Sequence, residues 1–243
     1  MEQPAGADHV APDPAAATGG GRGAFPLILA LGIAAVFAAI LLGTIDFPAR
    51  THADELSKVQ AIITLKNSYA HPVLMLELVR AANALAGLTN PQAVAELGRA
   101  IAVLVGAAAV FVTFLLAREM LPAPAALAAA AVTAVTPLVA MHARYLKEDI
   151  FVLLFILVSL LALIRTLKSP TNLHVLLLGA AIGLAAAAKY AGIILVPFAA
   201  AALWIGLPEL DRRTRLKLAG QAALAALGVF VLLHLPALWE FRQ

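Results

Sequence analysis

Three groups of ionisable residues carry the chemistry open to this chain: Asp54-Glu55, the stretch from Arg144 to Asp149 with Lys147 and Glu148 inside it, and Lys189. A carboxylate of this kind can take a proton from a hydroxyl or hold a divalent ion, and a nearby cation can absorb charge on a departing phosphate. Each group also has a plainer reading. Thr51-His52-Ala53-Asp54 has the form of a capping box, with Thr51 as N-cap and Asp54 at the third helical position. Glu148 and Asp149 suit a helix N-terminus, where acids meet the positive end of the dipole. Lys189 can snorkel to lipid headgroups. His71, just before Pro72, stands where a cap or turn residue belongs and is also a candidate substrate contact. There is no cysteine, which excludes disulfides and thiolate chemistry, and the sequence carries no nucleophile elbow, phosphate loop or clustered histidine ligands.

The elements that must position these residues are membrane helices. Of 243 residues, 63% are hydrophobic and 13% charged, and the mean hydropathy is +0.94. A soluble domain has about 25% charged residues, so an ordinary soluble fold is excluded, and a span needs about 20 apolar residues. Residues 1–24 read as a disordered Ala-, Gly- and Pro-rich tail, and 25–243 as one transmembrane domain. Apolar runs at Phe25–Ile45, Ala100–Ala117, Leu121–Met141, Ile150–Ile164, Val175–Ala188, Ala191–Leu207 and Leu218–Leu235 predict an all-α polytopic bundle of about seven spans. The short ones are expected to border a pocket. Residues 46–98 form a long first outer loop with two amphipathic interfacial helices. One has Leu56, Val59 and Ile63 on its apolar face and Asp54, Lys58 and Lys66 on another; the second has Leu74, Leu78 and Leu85 apolar.

Basic residues set the orientation. With the N-terminus cytoplasmic, the inner connections hold Arg118, Arg165, Lys168 and the Arg212–Lys217 cluster. These anchor the chain at an anionic leaflet, so a pI near 9.4 points to lipid rather than nucleic acid. The first loop, the Arg144–Asp149 turn and Lys189 then share the outer side of a plasma (inner) membrane. Carboxylates and cations gathered there meet the needs of glycosyl transfer from a lipid phosphate: a base for the acceptor and positive charge for the leaving group.

From about Asp46 to Leu207 the sequence resembles the GT-C superfamily of membrane glycosyltransferases, in its protein O-mannosyltransferase-like and phospholipid-carrier-dependent branch. The likeness rests on the order of Asp54-Glu55, His71-Pro72-Val73-Leu74, Glu96-Leu97-Gly98-Arg99, Thr136-Pro137 with Arg144 and Asp149, and Gly183-Leu184-Ala185 with Lys189-Tyr190-Ala191-Gly192. It departs at Val73, where the family has a second proline, and at Leu56–Val59, where an aromatic is common.

The resemblance implies a polyprenyl-phosphate sugar donor and a protein, lipid or glycan acceptor. It implies Asp54 as general base or metal ligand with Glu55 as companion, and Asp149 as the second-loop acid at the acceptor or a Mg or Mn site. Arg144, Lys189, Lys147 and His71 are the substrate contacts to be expected. Family members run longer, so the chain is expected to be the N-terminal part of such an enzyme, working with a partner subunit. The rival class is a non-catalytic membrane module: a degenerate transferase, an assembly subunit or a transporter half. A transporter should carry ionisable residues in mid-span, and these apolar runs are nearly free of them.

Overall fold

A computed structural model describes residues 23–49, 52–66 and 72–240. The expectations for the tail, for Thr51 and for His71 fall on residues outside these, apart from the last two of the tail. Among the described residues ten α-helices follow in order: α1 (Ala24–Leu42), α2 (Ala53–Thr64), α3 (Leu74–Ala86), α4 (Pro91–Arg118), α5 (Ala123–Val135), α6 (Pro137–Ala143), α7 (Asp149–Lys168), α8 (Asn172–Ala188), α9 (Leu195–Gly206) and α10 (Arg212–Glu240). No strand occurs among the described residues.

All seven apolar runs are helical. α1, α4, α7 and α10 are long and apolar enough to cross a membrane. α5 and α6 make a fifth candidate, bent by 60° at Thr136-Pro137. Pro137 supplies no backbone N–H and holds Thr136 extended, at ψ 118°. α8, and the 3-10 turn Tyr190–Ile194 with α9, are the two shorter apolar segments. Large apolar side chains such as Val135, Ile205 and Leu224 point outward. Hydroxyls inside the helices (Thr113, Thr133, Ser159, Thr166) bond back to the carbonyl four residues earlier, which leaves no polar group open to lipid at those positions. The chain is an integral membrane protein of all-α, polytopic type.

Helices pack closely where side chains are small. A Cβ placed on Gly179 would lie 2.3 Å from the Ala222 carbonyl, and one on Gly183 2.5 Å from that of Ala226. The glycines four apart on α8 therefore seat α10 backbone to backbone.

The first loop differs from expectation in four ways. α4 begins at Pro91, with the Asn90 side chain accepting from the Gln92 N–H, so the helix starts nine residues before the apolar run it carries. The cap of α2 is His52, whose Nδ1 accepts from the Asp54 N–H at 3.2 Å. The buried face of α2 holds Glu55, Lys58, Val59 and Ile62, whereas Ile63 is exposed. Leu78 and Leu85 of α3 are exposed too, and Met75, Leu76 and Val79 face inward. Glu55 and Lys58, two of the three α2 charges, find buried partners on other elements, and that turns the helix away from its apolar stripe.

The bundle has two polar ends. At one, Glu119 after α4 accepts from Arg165 Nε and Lys168 Nζ, each at 2.8 Å. At the other lie the residues singled out above.

Candidate active site

The foundation of the site is buried. Arg99 on α4 and Glu55 on α2 are fully inaccessible and form a two-pronged ion pair, Nη2 to Oε2 at 2.6 Å and Nε to Oε1 at 3.1 Å. The guanidinium also donates to the carbonyls of Ile45, Phe47 and Pro48 and lies 3.6 Å from the centre of the Phe47 ring. Glu55 Oε1 accepts in addition from the Leu146 N–H at 2.8 Å. One ion pair therefore ties the exit of α1, the start of α2, the body of α4 and the turn before α7. The Lys58–Glu148 pair, also buried, fastens α2 to the same turn.

On this base Asp54, Lys147, Asp149 and Lys189 form a chain of charges. Lys147 Nζ stands 3.3 Å from Asp54 Oδ2 and 4.0 Å from Asp149 Oδ2, and Lys189 Nζ donates to Asp149 Oδ1 at 2.6 Å. His52 lies 3.3 Å from Lys147 and His142 3.7 Å from Asp149. The four residues line a cavity of about 290 Å³ together with Pro72, Glu148, Tyr190 and Ala191. Lys189 reaches it because the helix stops there: α8 ends at Ala188, and Lys189 is extended at φ −152° and ψ 129°. Gly192 lets the following turn lie on the backbone of α8, since a Cβ there would sit 2.5 Å from the Ala185 carbonyl.

Asp54 is about half exposed. The Lys147 hydrogen bond, against some opposition from burial, holds its carboxyl below the ordinary 3.8, and the charges of Lys147, Lys58 and His52 act in the same direction. The site therefore presents an ionised, half-exposed carboxylate beside the Lys147 ammonium.

Two expected site residues lie elsewhere. Glu55, expected as a catalytic companion of Asp54, is buried with both carboxylate oxygens bonded to Arg99 and one also to the Leu146 N–H, and it does not line the cavity. Arg144, expected at the substrate, donates to the Thr44 carbonyl at 2.9 Å and leans toward Phe47, bracing the exit of α1 outside the cavity. The sequence reading missed Tyr190 in the wall and the contacts of His52 and His142. His52 caps α2 and His142 lies near the end of α6, so no single helical period connects them to the charges.

The donor set does not fit a Mg or Mn ion. Lys147 holds its ammonium between the Asp54 and Asp149 carboxylates, where a cation bridging them would sit, and no group of three or more histidine or acidic residues able to hold a metal occurs among the described residues.

Dolichyl-phosphate-mannose-protein mannosyltransferases match residues 70–239, well over half of the chain. The chain belongs to this family. Its fold is similar to the S. cerevisiae protein O-mannosyltransferase Pmt1-Pmt2 complex bound to the sugar donor, with a TM-score of 0.76 at 21% identity over 91% of this chain. It spans about a third (34%) of that structure's chain. The GT-C fold and the family implied by the sequence motifs are thus the ones found. No curated protein matches the chain.

Proposed function

We propose that the protein transfers a single sugar, mannose by the family's chemistry, from a polyprenyl-phosphate donor to a hydroxyl of a protein or other acceptor on the outer membrane face. The observation that carries this reading is the meeting of Asp54 with Lys147, Asp149 and Lys189 in one cavity at one end of the bundle. Asp54 takes the acceptor proton as the acceptor oxygen bonds to the anomeric carbon. The bond from that carbon to the donor oxygen breaks, and its electron pair leaves with polyprenyl phosphate. Lys189 and Lys147 receive the new negative charge, and Asp149 orients both cations. Attack opposite the leaving group inverts the anomeric centre. The N-terminus lies in the cytoplasm on this reading, and Glu119, Arg165 and Lys168 mark the cytoplasmic end. The fold neighbour is a complex of two subunits, so a partner chain belongs to the proposal as well.

Polyprenyl phosphate, the sugar-free lipid, tests the leaving-group site without knowledge of the acceptor. The purified protein in detergent binds it, and Lys189→Gln weakens binding by about tenfold to hundredfold, the worth of a charge-assisted hydrogen bond. Equal affinity of the variant and wild type, read by native mass spectrometry, contradicts the assignment.

A further inference from the structure

The residue after Lys189 has no role in the chemistry above, although it lines the same cavity. Tyr190 is 42% exposed there. Its ring is backed by α10: the centroids of Phe230 and His234 lie 6.4 and 6.2 Å away, and those two rings stack on each other at 4.0 Å. His234 is 92% buried, in keeping with its 8% exposure, and its Nδ1 lies 2.8 Å from the Phe230 carbonyl. That oxygen can only accept, so Nδ1 donates, and the imidazole is fixed as a flat tier under Phe230. A partly exposed tyrosine beside the cavity is thereby given an aromatic support from a helix that supplies none of the charged residues of the site.

We propose that Tyr190, supported by Phe230 and His234, is the platform for the sugar ring of the donor and so a specificity-determining residue. The proposal rests on the reading of the cavity as a donor site. In such a donor the sugar is joined directly to the phosphate, so the surface that meets it must adjoin the cation that meets the phosphate. Tyr190 follows Lys189 in the chain and shares its cavity. An aromatic face carries negative charge density and suits the weakly positive C–H groups on one face of a pyranose. The sugar hydroxyls then turn to Asp54, Lys147 and Asp149 across the cavity. A volume of about 290 Å³ stands at the lower bound of small-molecule pockets, roughly 300–1,000 Å³. It suits one sugar and its phosphate and leaves no room for an oligosaccharide.

The test compares two lipids, polyprenyl phosphate and polyprenyl-phosphate mannose, on wild type, Tyr190→Phe and Tyr190→Ala, with thermal unfolding as a check of folding. Tyr190→Ala weakens the sugar-bearing lipid by about threefold to tenfold and leaves the sugar-free lipid unchanged, and Tyr190→Phe stays close to wild type for both. An equal loss for both lipids in Tyr190→Ala overturns the platform, as does no loss for either. Failure of the wild type to bind either lipid overturns the donor site itself, a result distinct from failure of the platform alone.

Discussion

Replacement of Asp54 by Asn lowers sugar transfer by about 10²–10⁴-fold, the usual worth of a positioned general base, and leaves donor binding in place. Asn keeps the shape of the side chain and its place beside Lys147 but cannot take the acceptor proton. The pH profile carries a second signature of the same residue. Lys147 keeps the Asp54 carboxyl below its ordinary 3.8, so the base stays ionised through the neutral and mildly acid range. Activity that depends on it falls only when the pH drops below the usual carboxylate range. Lys147→Met removes the hydrogen bond and the charge, the Asp54 pKa rises, and the acid limb of kcat/KM moves to higher pH. A limb that stays in place in Lys147→Met, or an Asp54→Asn variant as fast as wild type, contradicts the role of the pair.

Arg99→Met costs about 3–5 kcal/mol of stability, because it leaves the Glu55 carboxylate buried without its counter-charge. Three carbonyls at the exit of α1 lose their donor at the same time. Glu55→Gln in the Arg99→Met background recovers part of the loss, since a neutral amide no longer carries a buried charge and can still accept from the Leu146 N–H. Thermal unfolding in detergent reads both effects. A melting temperature for Arg99→Met equal to wild type would show that the pair does not hold these elements together. The same pair fixes the turn that carries Lys147 and Asp149, so partly folded variants are expected to lose donor binding before they lose helicity.

Much of this architecture was legible in the sequence. Seven apolar runs stand out because lipid tolerates few charges, whereas the 60° bend at Thr136-Pro137 lies inside a run read as one segment. The grouping of Asp54, Asp149 and Lys189 followed from counting which end of the bundle each turn must reach. The inward face of α2 was not legible. Periodicity assigns Lys58 to the polar side with Asp54 and Lys66, and only the partners of Lys58 and Glu55, Glu148 and Arg99, distant in sequence, make burial of the two charges favourable. For the same reason Glu55 looked like a reactive neighbour of Asp54, and Arg144 like a phosphate contact. An aromatic wall drawn from Tyr190 and α10 leaves no local pattern at all, because it depends on how closely α10 packs on α8 through Gly179 and Gly183.

The chain has no cysteine, so a single Ala191→Cys substitution, at an exposed position in the cavity wall, reports on the site alone. The decisive measurement is its rate of reaction with a membrane-impermeant maleimide in proteoliposomes, with and without polyprenyl-phosphate mannose. A wet donor cavity predicts that the cysteine reacts and that saturating donor slows the reaction severalfold. A rate unchanged by donor, or a cysteine that reagent cannot reach from either side of the membrane, contradicts it.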